Sequence, residues 1–312
     1  MPLRIVFCGT PAFALPSLKH LIAQPDFQIE GVVTQPDRPR GRGQKASSSP
    51  VKDTALDAGI AVYQPEKIKS ESAYDYFQRV APDVVVIIAY GQIVSRQLIE
   101  IPRLGWVNLH ASLLPKYRGA APINWAIVNG ETHTGVTTMQ LDAGLDTGPT
   151  LMRRELDIGP DETAPELAAR IAETGAPLMA DTLRKLERRE IVPVLQDSSQ
   201  ATFAPRLQRE DGQINWSLAA RQIYNRIRGL HPWPGAFTSF RGENCHIGGR
   251  AVEWENVIGP PGTLIAKGGD LVVVCGEQTT LQLEFVKLEG RKQIAAREFM
   301  NGARLVPGER FL

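Results

Sequence analysis

The sequence is short of several things, and each shortage closes a class of function. Only three cysteines, Cys8, Cys245 and Cys275, occur in 312 residues. They are odd in number and far apart, so they supply neither a disulfide framework nor a metal-ligand spacing. No uninterrupted apolar run approaches the ~20 residues that span a bilayer. Residues 1–9 run straight into Thr-Pro and lack the charged flank and cleavage site of a secretory signal. The expectation is a soluble protein of a reducing cytoplasm, without membrane partners. Charge of one sign is not in excess: 35 Lys and Arg face 34 Asp and Glu. That excludes an overall basic nucleic-acid binder and leaves a locally basic one open. No internal repeat occurs, and no Gly-x-Gly-x-x-Gly or Gly-Lys-Ser/Thr phosphate loop.

What is present is an ordinary globular composition, 43% hydrophobic and 22% charged, enough for one large core or two moderate ones. Residues 3–8 read as a strand apolar on both faces, followed by Gly9-Thr10-Pro11. Pro11 suits the first turn of a helix over 12–22. Further strands are predicted at 29–34, 84–89 and 105–109, alternating with helical stretches at 51–58, 73–80 and 122–129. This alternation predicts a mostly parallel α/β sheet. Such sheets bind ligands beyond the carboxyl ends of their strands. A long helix over 163–189 follows. The next stretch loses periodicity and reads as a linker, 190–208. Then come a helix at 217–228 and short strands at 236–240, 251–258, 262–266, 271–275 and 281–286, broken by Gly and Pro. That pattern predicts a small β-barrel over 209–312.

Several segments could carry chemistry. Asn108 and His110 lie two apart at a strand end and so share one face. An amide beside an imidazole suits donation to an oxygen that gains negative charge. An Asn-x-His at a strand end can also do no more than satisfy local backbone groups. Asp146, in the glycine-flanked turn 143–148, could orient His110 or take a proton; such a turn Asp is common without either role. Residues 112–122 follow His110 directly. A loop with exposed backbone groups, flanked by Lys116 and Arg118, could hold a flat heterocycle with an acidic tail, or could be a plain connection with solvated charges. In the Gly/Pro-rich stretch 34–45, Arg38, Arg40, Arg42 and Lys45 stand against Asp37, a loop suited to a polyanion. Cys8 reads as a small core residue.

In order along the chain, Phe7-Cys8-Gly9-Thr10-Pro11, Thr34-Gln35-Pro36-Asp37-Arg38, Ala89-Tyr90-Gly91, Asn108-x-His110, Ser112-Leu113-Leu114-Pro115, Arg118-Gly119-Ala120-Ala121-Pro122-Ile123, Leu145-Asp146-Thr147-Gly148 and His231-Pro232-Trp233-Pro234-Gly235 resemble the folate-dependent formyltransferases. The likeness is strongest to the branch that acts on methionyl-tRNA. Cys8 departs from the alanine more usual there. The resemblance implies a Rossmann-like catalytic domain over 1–189, the linker 190–208, and an oligonucleotide-binding (OB-like) barrel over 209–312. It implies transfer of formyl from 10-formyltetrahydrofolate to the amino group of initiator methionyl-tRNA, with no metal and nothing that demands more than a monomer. It carries over Asn108, His110 and Asp146 as catalytic. Tyr90, Gly91, Ser112, Leu113, Leu114 and Pro115 become the folate contacts, and Arg38, Arg40, Arg42 and Lys45 the tRNA contacts. On this basis Asn108 and protonated His110 would donate to the oxyanion while Asp146 holds His110. An amino sugar nucleotide or other small amine as acceptor is the alternative. A formyl-hydrolysing enzyme and a non-catalytic RNA-binding protein are more distant ones. The arginine loop and the second domain favour tRNA.

Overall fold

In the computed structural model, which describes residues 1–40, 45–254 and 257–312, the opening apolar run forms β1 (Leu3–Gly9), buried along almost its whole length. The chain continues through β2 (Phe27–Val33), a hairpin of β3 (Arg38–Arg40) and β4 (Lys45–Ser47), β5 (Val62–Tyr63), β6 (Val84–Ile88) and β7 (Trp106–His110). The two-residue β8 (Arg118–Gly119), β9 (His133–Gln140), β10 (Thr150–Asp157) and the two-residue β11 (Phe203–Ala204) complete the first set. The main sheet runs β10-β9-β7-β6-β1-β2-β5. Its members from β7 to β5 are parallel, and β9 is antiparallel to both neighbours. The Rossmann-like, mostly parallel α/β expectation holds.

Helices α1 (Leu15–Ile22), α2 (Pro50–Asp57), α3 (Glu71–Val80), α4 (Arg96–Ile99), α5 (Pro122–Val128) and α6 (Ala164–Glu187) alternate with these strands. The 12–22 helix is corrected to a single 3-10 turn at Ala12–Ala14 followed by α1. Pro16 has no N–H to donate to the preceding turn, so the α-helix starts one residue before it, and Pro11 stays extended. The 34–45 loop is corrected to a hairpin in which Arg38 pairs with Ser47 and Arg40 with Lys45. A two-stranded ribbon leaves one edge of each strand unpaired, so Pro39 fits without losing a ladder bond. Residues 41–44, including Arg42, lie outside the described residues.

Contact density divides the chain into two units. One comprises Met1–Pro122, His133–Asp157 and Ala168–Ala204; the other takes Ile123–Thr132, Ile158–Leu167 and Pro205–Leu312. The stretch read as a linker is therefore mostly part of the first unit. Val194 bridges Thr150, and β11 lies parallel to β8.

The second unit holds α7 (Ala220–Gly229), β12 (Phe237–Phe240), β13 (Glu243–Val252), β14 (Leu264–Lys267), β15 (Asp270–Val274), β16 (Thr280–Leu288), β17 (Ile294–Ala295) and α8 (Ala296–Ala303). The antiparallel order is β12-β13-β16-β15-β14, with β17 on β16. Phe311 pairs with Phe240 at the β12 edge, and Arg310 pairs with Thr263 just before β14. The last residues thus join the two sheet edges and close the expected barrel, whose core stacks Trp216 on Phe311 at 5.5 Å. Of the separate strand read at 251–258, only Ala251 and Val252 are extended among the described residues, and they are the end of β13, which continues through Gly248-Gly249 with a register shift. A Cβ on Gly249 would lie 2.3 Å from the Gln282 carbonyl, so only glycine lets the strands approach there. Among the described residues no helix is long and apolar enough to cross a membrane.

Candidate active site

Strand order reverses at β1: β2 lies on one side of it and β6 on the other. A crevice therefore opens beyond the carboxyl ends of β1 and β6. Gln35 spans it. Its backbone N–H donates to Thr10 Oγ1 (3.2 Å), its Nε2 to the Tyr90 carbonyl (3.0 Å), and its Oε1 accepts from Gln92 Nε2 (3.2 Å). A cleft of ≈ 470 Å³ lies here, bounded among others by Thr10, Gln35, Asp37, Arg38, Ser49 and Gly91. The Lys52 ammonium and the Gln64 amide, both bonded to Asp37, hold its carboxyl below the usual range.

Asn108 sits one strand further along, level with Ile87 of β6. Leu109, of opposite parity, packs at the site of Gly175 in α6, so Asn108 and His110 share the other face. The Asn108 side chain is half-buried and has no hydrogen-bond partner among the described residues. His110 is 6% exposed, and its Nε2 lies 2.9 Å from the Tyr117 carbonyl. A carbonyl only accepts, so Nε2 carries the proton and donates. The other ring nitrogen, Nδ1, faces Asp146 Oδ2 at 3.7 Å, beyond direct hydrogen-bond range. Asp146 occupies left-handed backbone, φ 52°, and its Oδ2 accepts the Gly119 N–H at 2.8 Å. The three predicted catalytic residues thus gather at one place. The geometry changes one assignment: Nε2 is already engaged, so the edge His110 offers a reactant is Nδ1. An amine arriving there meets two acceptors, Nδ1 and the Asp146 carboxylate, and one free amide donor, Asn108.

The predicted folate residues divide. Tyr90 is buried in the core with Val6, Cys8 and Phe77; its hydroxyl has no partner among the described residues, and burial pushes its pKa up. Only its backbone and Gly91 face the crevice side. Ser112 is fully buried, and its hydroxyl donates to the Lys116 carbonyl at 2.6 Å. Thr137 Oγ1 accepts from the Leu114 N–H (3.2 Å) and donates to the Ser112 carbonyl (2.7 Å). Leu113 lies against Gly135, and Pro115 is half-buried. The backbone of this loop is largely committed to its own chain. Arg38 is exposed beside the cleft, and Arg40 and Lys45 lie in the hairpin strands.

Three residues of the site gave no sequence signal of their role. Arg118, read as ligand-facing or solvated, is 4% exposed and donates Nε and Nη2 to Gln196 Oε1 at 3.0 and 2.8 Å. Gln196 Nε2 donates in turn to the carbonyls of Asp146 (2.8 Å) and Gly148 (2.7 Å). Thr202 Oγ1 accepts the Tyr117 N–H at 2.9 Å.

Comparison with known proteins follows the same outline. Residues 3–183 match the family model described as Formyl transferase, and residues 206–304 match Formyl transferase, C-terminal domain. The chain is 50% identical to a methionyl-tRNA formyltransferase of Solibacter usitatus, over 99% of this chain and 98% of that one. It is 49% identical to one of Koribacter versatilis, over 96% of each. Among solved structures, WlaRD, a sugar 3N-formyl transferase crystallised with dTDP and 5-N-formyl-THF, superposes with a TM-score of 0.66, covering 94% of this chain and 100% of that one. At 18% identity that likeness concerns the fold alone.

Proposed function

Because the chain belongs to the formyl transferase family through both its N-terminal and its C-terminal domain, we propose that it transfers the formyl group of 10-formyltetrahydrofolate to the α-amino group of initiator methionyl-tRNA. The observation that carries the chemistry is the Asn108 amide, without a hydrogen-bond partner among the described residues, beside the shared edge of His110 and Asp146. The cleft at the strand ends has a volume within the ~300–1,000 Å³ usual for small ligands. Gly91, which lines the cleft, and the 73% exposed Ile93 after β6 would hold the folate together with the 112–115 loop. When bound, the folate supplies an electrophilic one-carbon unit.

The residues of this chain do the rest. Asn108 donates to the formyl oxygen as charge builds on it, and a preorganised donor of this kind commonly contributes ~3 kcal/mol. The attacking ammonium must lose a proton, and Asp146 Oδ2 and His110 Nδ1 are the acceptors beside it. His110 Nδ1, once protonated, can return that proton to the departing nitrogen. The Tyr117 carbonyl fixes the ring while this happens, because it ties down Nε2. Holding both reactants against one edge removes the entropy of their encounter.

The acceptor assignment rests on the whole-chain likeness to methionyl-tRNA enzymes and on Arg38 beside the cleft. Arg38, Arg40, Arg42 and Lys45 are the proposed phosphate contacts, the last three by sequence position. The likeness to sugar formyltransferases extends to fold alone and does not favour a small amine. The test offers the protein 10-formyltetrahydrofolate with methionyl-tRNA, free methionine or an amino sugar nucleotide. Formylation of methionyl-tRNA is expected; product from a small amine alone would overturn the assignment.

A further inference from the structure

The stretch 190–204 has the sequence of a tether, but it is bonded into the active site along its length. The Val194 N–H and carbonyl pair with those of Thr150 at 2.9 and 2.8 Å, just beyond the Asp146 turn. At the other end the Thr202 carbonyl accepts the Arg118 N–H (2.9 Å), and the Ala204 carbonyl accepts the Ala121 N–H (3.2 Å). Between these anchors the Gln196 amide meets four partners that fix its orientation. Its oxygen receives two N–H groups of Arg118, and its NH₂ gives both hydrogens to the carbonyls of Asp146 and Gly148. Those two carbonyls flank Thr147, whose hydroxyl is anchored to the Asp142 carboxylate at 2.7 and 2.8 Å. Flipping the amide would set its oxygen against two carbonyls and its NH₂ against a guanidinium, so one arrangement alone is satisfied.

We infer that Gln196 is a positioning residue for formyl transfer: it holds the turn that aims Asp146 at His110, and the apparent linker is thereby part of the catalytic apparatus. This rests on the reading of Asp146 given above. Asp146 needs such a hold because its backbone is left-handed, a conformation disfavoured for residues other than glycine. Among the described residues its carboxylate has a single backbone anchor, the Gly119 N–H. Gly119 belongs to β8, which the same strap covers through β11. Arg118 and Gln196 therefore tie both sides of the Asp146 carboxylate to one segment. Buried Arg118 donates to no carboxylate among the described residues, so its hydrogen-bonding strength goes into the Gln196 amide.

The discriminating substitution is Gln196→Glu. It keeps the shape and strengthens the contact with Arg118, but replaces the NH₂ with an oxygen facing two carbonyls. Gln196→Met, which keeps length and removes all four bonds, is the second variant. With 10-formyltetrahydrofolate and methionyl-tRNA, both are expected to lower kcat by about 10-fold to 10²-fold, the scale of a small misplacement of a catalytic group. KM for each substrate should stay within about threefold, the mark of a loss confined to the transition state. On an Asp146→Asn background neither should lower kcat further, because they act through that carboxylate. Wild-type kcat in Gln196→Glu, or a loss that multiplies with that of Asp146→Asn, would overturn the inference while leaving the site reading intact. Full turnover by Asp146→Asn alone would overturn that reading and the inference with it.

Discussion

Replacing Asn108 with alanine separates a catalytic donor from a structural one. The amide is half-buried and bonds to no group among the described residues, so truncation strands no internal partner. Stability should move by no more than about 1 kcal/mol, since the large losses come from orphaned partners or core cavities. Turnover should behave differently. A fixed neutral donor aimed at a developing oxyanion is worth about 2.7–4 kcal/mol, which lowers kcat by about 10²–10³. His110 cannot replace it, because Nε2 is committed to the Tyr117 carbonyl and Nδ1 faces Asp146. Asn108→Asp keeps the shape but sets a second carboxylate near Asp146, and should fall at least as far. The measurements are single-turnover formation of formyl-methionyl-tRNA and urea unfolding midpoints. The reasoning is refuted by the opposite pattern: kcat within about threefold of wild type together with a clear loss of stability.

Gly119→Ala should cost about 2–4 kcal/mol of unfolding free energy and much of the activity. The backbone there has φ +123°, a Cβ would lie 2.6 Å from the Ala204 carbonyl, and the same residue's N–H holds Asp146; unchanged thermal unfolding would contradict this. Arg42→Ala should raise KM for methionyl-tRNA, leave KM for the folate alone, and reduce the slope of log KM against log salt by about one; a variant with the wild-type salt slope would remove Arg42 from the phosphate contacts. The Arg184 guanidinium, bonded to Asp26 at 2.7 and 3.0 Å, holds that carboxyl below its ordinary 3.8. A depressed value contributes stability above 3.8 that disappears as pH falls through the folded-state value. Asp26→Asn should therefore lower the urea midpoint near neutrality and match wild type in strong acid; a deficit that persists in acid would place the effect elsewhere.

What the sequence revealed follows the range of its physical signals. β1, β6 and β7 were legible because central parallel strands are continuous apolar runs punctuated by Gly and Pro. The long helix, read over 163–189, spans Ala164–Glu187 because its apolar spacing persists for many turns. The common face of Asn108 and His110 followed from the two-residue period of a strand. The hairpin escaped because Gly and Pro outweigh three-residue pairing, and β8 and β11 because two residues carry no period. The inward turn of Tyr90 was hidden for another reason. Its position beyond a strand end suggested a ligand contact, while the α3 and β1 side chains that bury it come from elsewhere in the chain.

The site itself is joined mostly by bonds of this hidden kind. Gln196 reaches carbonyls 48 and 50 residues away, Arg118 reaches Gln196 across 78, and Tyr117 reaches Thr202 across 85. None of these alters a local hydrophobic pattern, so a stretch held only by them looks structureless. Most of these contacts join neutral groups, and the charged Arg118 meets an amide oxygen rather than a carboxylate. That arrangement suits a site whose Asp146 must remain available to a reactant. A carboxylate in place of Gln196 would add a further anion to the turn that already carries Asp142 and Asp146, and compete for the incoming ammonium. An amide can bind both a guanidinium and two carbonyls and add no charge. The choice of glutamine thus follows from electrostatics: it is the side chain of this length that presents one acceptor and two donors from a single planar group.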